Sequence, residues 1–171
     1  MSGTITTDAG GATVSFNPGS AAAGGGAATI GLGDAYNRAP VRGFAKDTVG
    51  QYTYATASWR AADGSTMNRV TFVVGLQEDW WRADYSIVAA GNSTGSSTTG
   101  IGFNSTTAPT GFNGCSPSSG SANHTLAAAT VQPIGSNYLA PLEYVSAGTK
   151  TFDGGGDLAP IQPGMIWEGR Y

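Results

Sequence analysis

Catalysis and metal binding need histidines, cysteines or paired carboxylates in workable settings, and this sequence offers few. His124 is the only histidine, so any Ser-His-Asp or Cys-His unit would have to use it. Its neighbours Asn123 and Thr125 frame no nucleophile motif, and Cys115, the only cysteine, sits in a Gly/Pro/Ser-rich stretch. The expectation is a strand-face or surface histidine rather than a catalytic one. A lone cysteine also excludes an internal disulfide and a thiolate metal cluster.

The carboxylates are next. Glycoside hydrolysis needs two of them at a fixed separation, and Glu78-Asp79 beside Trp80 and Trp81 could pair acids with a sugar-stacking ring. The same four residues read equally as a charged hairpin end with Trp81 in the core, and that reading is favoured. Asp153-Gly-Gly-Gly-Asp157 has two acids near glycines. Hard cations take six to eight oxygens in a set order, which this spacing does not supply. No glycine cluster carries the Lys-Ser/Thr of a phosphate loop. No catalytic, cofactor or metal residue is therefore assigned, and a non-enzymatic role is expected. Tyr52 and Tyr54 on one face of a strand, with Trp80, remain as an aromatic surface for either a glycan or a sister subunit. Aromatic residues are enriched at interfaces, which favours the subunit.

Composition narrows the partners. The 171 residues include 27 glycines and only 11% charged side chains, against averages of about 7% and about 25%. Such a surface has little charge to resist association, which points to a life against neighbouring subunits. The net charge is −3 and the cations are scattered, so a basic nucleic-acid face is not expected. No apolar run reaches the roughly 18 residues of a membrane span. The first eight residues have neither a basic start nor an apolar core segment, so a cytosolic chain, or one released by lysis, is expected. Asn-x-Ser/Thr triplets at Asn92, Asn104 and Asn123 are read as chance products of a Ser/Thr/Asn-rich composition.

The elements that must position these residues are strands. Residues 51–59, 70–76 and 81–89 alternate with period 2, and short turns at 62–65 and 77–79 suggest a three-stranded meander. Pro40 argues against a helix before it. After Ala90, residues 91–100 read as a polar loop, 101–104 as a short strand and 105–121 as a second long loop; loops of that length are often functional. Strands are expected over 123–131, 138–145, 150–152 and 165–171, with Pro141 marking an edge or bulge. No stretch offers an amphipathic helix of ten residues. The class is all-β, with about eight to ten strands. Residues 1–36 form a separate weak-core arm. Its tract Gly19-Ser-Ala-Ala-Ala-Gly-Gly-Gly-Ala-Ala28 buries too little to order itself. The natural holder of such an arm is another chain, the alternative being an arm folded back on its own domain. Residues 37–171 then make the body.

Three phrases carry a resemblance: Gly100-Ile-Gly-Phe-Asn-Ser-Thr-Thr-Ala-Pro-Thr-Gly111, Tyr138-Leu-Ala-Pro-Leu-Glu-Tyr144 and Gly148-Thr-Lys-Thr-Phe-Asp-Gly154. Over roughly residues 50–171 the chain resembles structural proteins of tailed bacteriophages, namely β-sandwich modules of head fibres, capsid decoration proteins and tail fibres. The resemblance implies a jelly-roll-like antiparallel β-sandwich that forms homotrimers. It implies a virion protein, assembled in the host cytoplasm and attached to capsid, connector or tail through the N-terminal arm. It also implies, as an alternative, contact with a host cell-surface glycan or receptor. No site residue is carried over from it.

Overall fold

A computed structural model describes residues 2–6, 29–33, 40–66, 68–74, 80–90, 95–115, 121–129, 133–155 and 163–170. The described residues form thirteen strands and a single turn of 3-10 helix at Ala62–Gly64, so the all-β expectation holds. β1 (Ser2–Thr6) and β2 (Thr29–Gly33) pair antiparallel as a ladder of their own. The remaining strands make two antiparallel sheets. The larger contains β3 (Pro40–Lys46), β4 (Gln51–Tyr54), β7 (Trp81–Ala90), β10 (Ser121–Ala129), β12 (Lys150–Asp153) and β13 (Gly164–Arg170). The smaller contains β5 (Arg60–Ala61), β6 (Val70–Val74), β8 (Ser97–Phe103), β9 (Gly111–Cys115) and β11 (Gly135–Val145).

Each sheet is built on one long strand flanked by two shorter strands laid end to end. β7 pairs with β10 along one side; on the other side β13 takes residues 81–86 and β12 takes residues 88–90. β11 pairs with β8 along one side, and with β6 then β5 along the other. β7 alternates buried Trp81, Ala83, Tyr85, Ile87 and Ala89 with more exposed residues, the period-2 signature of a strand with one face in the core. Those side chains meet Leu139, Val145, Ile101, Phe72, Val74, Phe152, Met165 and Trp167 in a single core between the sheets. Aromatic contacts tighten it: Phe72 stacks on Trp167 at 4.9 Å, and Trp81 on Phe103 at 5.9 Å.

The meander expected over residues 51–90 does not form. β4 and β7 lie in one sheet with β12 between them, and β6 belongs to the other sheet. Alternation tells which face a strand buries, and it is silent about which strand bonds to its edge. The proposed turn at residues 77–79 lies outside the described residues. The two long loops expected after Ala90 also shrink, because β8 begins at Ser97 and β9 occupies residues 111–115. β8 hides small polar residues where apolar ones are usual. Thr99 is fully buried, and its hydroxyl meets that of Thr125 on β10 at 2.6 Å. A buried hydroxyl pair satisfies itself across the sandwich, so the strand carries no hydrophobic signature.

Pro141 is expected at an edge or bulge; β11 is central, and the proline sits at an interruption of one of its ladders. The side of β11 facing β6 and β5 carries pairs up to Leu139 and again from Leu142. Pro141 falls in that gap, where a missing N–H forfeits no ladder bond. On the outer face of the smaller sheet, Gly100 and Gly102 make flat ground. The Trp59 ring and Pro109 lie over Gly100, while the backbone of Ser105 lies over Gly102. Leu142 is fully buried against this cover. Where the two sheets converge, Gly111 of β9 lies against Ala127 of β10.

Leu142 tests the cover independently of the main core. Leu142→Ala should lower unfolding free energy by about 2–5 kcal/mol, read from the urea midpoint at constant m. Gly102→Ala should also destabilise strongly, because its Cβ would sit 2.2 Å from the Ser105 carbonyl oxygen.

Candidate functional site

One group of ionisable side chains is drawn together in the body, and it spans both sheets. On β11 the face that carries Leu139 and Val145 into the core also carries Glu143, whose side chain is fully buried. A charge there must be matched. Arg60, its register partner on β5, donates from Nε to Glu143 Oε1 at 2.5 Å, and its Nη2 pairs with the same oxygen. The Arg60 guanidinium lies over the Tyr54 ring at 3.9 Å, so its other face is covered too.

The opposite sheet supplies the second partner. Tyr52 on β4 donates its hydroxyl to Glu143 Oε2 at 3.1 Å, and the same hydroxyl lies 3.4 Å from Asp47 Oδ2. Its ring stacks on Phe152 at 5.7 Å. Asp47, just after β3, is buried and accepts from the Val49 N–H at 3.1 Å. The 3-10 turn closes the group from the side. Asp63 takes a left-handed φ of 61° and Gly64 one of 67°, and the Asp63 backbone supports the Glu143 carboxylate by hydrogen bonding. Tyr85 on β7 brings a buried hydroxyl into the same neighbourhood as Tyr52 and Glu143, with no hydrogen-bond partner among the described residues.

Burial dominates the electrostatics. It pushes Glu143 up to about 7, against the opposing pull of Arg60 and Tyr52. Asp47 is also raised, chiefly by burial. Tyr52 and Tyr85 are driven well above the ordinary phenol range by burial and by the nearby acids, so both stay neutral. A carboxyl titrating near 7 beside a tyrosine has the profile of a general acid or base. Its access is that of a structural clamp. A substrate would have to displace Arg60 and Tyr52 to touch Glu143.

The residues singled out from sequence do not converge here, apart from the two tyrosines of β4. Tyr52 enters the clamp, and Tyr54 covers Arg60 while bonding the Ser58 carbonyl at 2.8 Å. Both tyrosines are half-buried and pack against the core, so their face of β4 is the inward one. Trp80 is half-buried just before β7. Register places His124 opposite Ser86 and Cys115 opposite Ser97. Asp153 is buried on β12, whereas Asp157, Glu78, Asp79 and Asn92 lie outside the described residues. Among the described residues no three His, Cys, Asp or Glu side chains gather as a metal site. Sequence reasoning missed Glu143, Arg60, Asp47 and Tyr85. The available signal was an acid at a core-facing position of an otherwise apolar strand face.

No protein-family profile and no curated protein sequence matches the chain.

Glu143 gives a signed pH dependence. Its folded-state pKa lies above its unfolded value of 4.5, so the folded protein binds more protons between those limits. Its contribution to stability is full below about 4.5 and is lost as pH rises through about 7. Urea midpoints should therefore fall between pH 4.5 and 7.5 in the native protein, and Glu143→Gln should flatten that slope. Arg60→Met should cost more at pH 8 than at pH 5, because only the ionised carboxylate is left without its partner.

Proposed function

We propose that this chain is a non-enzymatic structural protein of a tailed-bacteriophage virion, assembled in the host cytoplasm as a homotrimer. In this reading the body is a spacer or decoration module. Residues 1–36 attach it to capsid, connector or tail. The virion setting comes from the resemblance of residues 50–171 to such modules. The observation that supports an assembly role is the outer face of the larger sheet. Register aligns Phe44, Ile166, Asp84 and Leu126 in one row across four strands. Phe44, Ile166 and Leu126 are 51%, 54% and 52% exposed. Three large, half-exposed apolar side chains, with Asp84 between Ile166 and Leu126, on a body so poor in charge support a contact surface.

The second reading is a glycan- or receptor-binding module for host-surface adsorption. It would use the segment 91–121 together with Trp80, which keeps part of its surface at the entry to β7, and binding on a glycan array would favour it over the structural role.

Light scattering on the full chain at micromolar concentration should give three times the chain mass, and a monomer would overturn the trimer. Removing residues 1–36 should leave the circular dichroism and melting of the body intact and abolish incorporation into particles. Unchanged incorporation would refute the docking role of the arm.

A further inference from the structure

The edge of β3 offers a more specific contact than the sheet face. β3 lies at the rim of the larger sheet, bonded to β13 on one side; among the described residues no strand bonds its other side. It is seven residues long, and its Val41 and Phe44 are 43% and 51% exposed. Soluble proteins usually shorten, bulge or charge such an edge, since its free N–H and C=O groups template another strand. Here the charges are Arg42 and Lys46, on the same outer face as Phe44.

We infer that the free edge of β3 pairs with β3 of a second copy, antiparallel and centred on Gly43, to join two six-stranded sheets into one. A two-fold axis perpendicular to a sheet maps each face onto itself, so residues directly opposite must share a face. Three registers near full overlap meet that condition. Centred on Phe44, the pairing sets Arg42 against Lys46 of the other copy, twice. Centred on Arg42, it sets that residue against itself. Like charges directly opposite are destabilising. Centred on Gly43, every residue of the strand has a partner and no like charges oppose. Arg42 then faces the Phe44 ring of the second copy, Lys46 faces Pro40, Val41 faces Ala45, and Gly43 meets itself. Glu168 already flanks Arg42 at 3.7 Å, which tempers the positive charge at the seam. The same charges that would guard a lone edge thus exclude two registers and leave one. The occupant is a second copy because in this register the strand's own cations meet no like charge directly across the seam.

This contact is independent of the trimer. Alone it gives a dimer; added to a threefold contact it gives a hexamer. Sedimentation equilibrium on the full chain up to about 100 μM should return an even-numbered species in equilibrium with its half. Phe44→Lys places a lysine opposite Arg42 of the second copy at two symmetric positions, and should weaken the association by at least about tenfold. Combining Arg42→Glu with Phe44→Lys restores opposite charges across the seam and should recover the affinity. Leu126→Lys, on the same face but at the far strand β10, should leave this pairing unchanged. If Phe44→Lys fails to fold, amide exchange of the native protein decides: residues 40–46 should become more protected as concentration rises. A monomer or a bare trimer throughout the range, an unaffected Phe44→Lys, no recovery in the double variant, or concentration-independent exchange would each overturn the pairing.

Discussion

Placing the Glu143 carboxylate in the interior is the constraint on which the packing of this sandwich turns. A buried acid is tolerable only when donors reach it in good geometry, and here they come from both layers. Arg60 belongs to the same sheet as Glu143, while Tyr52 approaches from the opposite one. Apolar surfaces can slide past one another at little cost, because burial is non-directional. A hydroxyl held 3.1 Å from one oxygen cannot. The clamp therefore sets how the β4 end of one sheet sits over the β5 end of the other. Its stability contribution need not be large for that, since its main effect is to exclude alternative packings. The Thr99–Thr125 hydroxyl pair does similar work at the opposite side, between β8 and β10.

The two ends differ in how closely the sheets approach. Near β9 and β10 the contact is backbone against small side chains, with Gly111 against Ala127. At the clamp end, longer side chains fill the gap: Tyr52, Phe152 and Arg60 stack or cross at 5.7 Å and 6.0 Å. The glycine and alanine content thus has a structural use within the body. It lets one side of the sandwich curl shut while the other is propped open by aromatic and charged groups.

Much of this was legible in the chain, and the gaps have physical causes. β7 and β6 announce themselves by alternation, because each has one apolar face. β8 does not, since its inward Ser97 and Thr99 are polar, and hydroxyl pairing across the core leaves no periodic trace. Pro141 misled for another reason: proline forbids a bond, and sequence alone does not show that the neighbouring ladder is already interrupted there. Sheet partners were the hardest to see. Contacts such as Tyr52 with Glu143 join residues 91 positions apart, and nothing in the local pattern at either end encodes the distance between them. Glu143 itself was visible as an acid on an apolar face, but only its partners reveal a clamp.

The outside of the larger sheet shows three large apolar side chains among charged ones, while the inner face is the core. Phe44, Ile166 and Leu126 are each about half exposed, so covering them completely recovers roughly 1 kcal/mol apiece. Two copies burying this row against each other would gain about 6 kcal/mol, at the low end of the roughly 4–15 kcal/mol cost of association. The row alone is too weak to hold a stable pair at micromolar concentration. A backbone ladder along β3 adds directional bonds to groups that water otherwise satisfies, at about 0.5–1.5 kcal/mol each. Those bonds act beside the face rather than on it, since edge pairing keeps the outer faces of both copies on one side of the joined sheet and leaves this row uncovered. The weak body charge works in the same direction, since it leaves little repulsion for those bonds to overcome. Edge and face are thus separate contacts: the face would supply area without geometry, and the proposed edge pairing would supply geometry that selects one register.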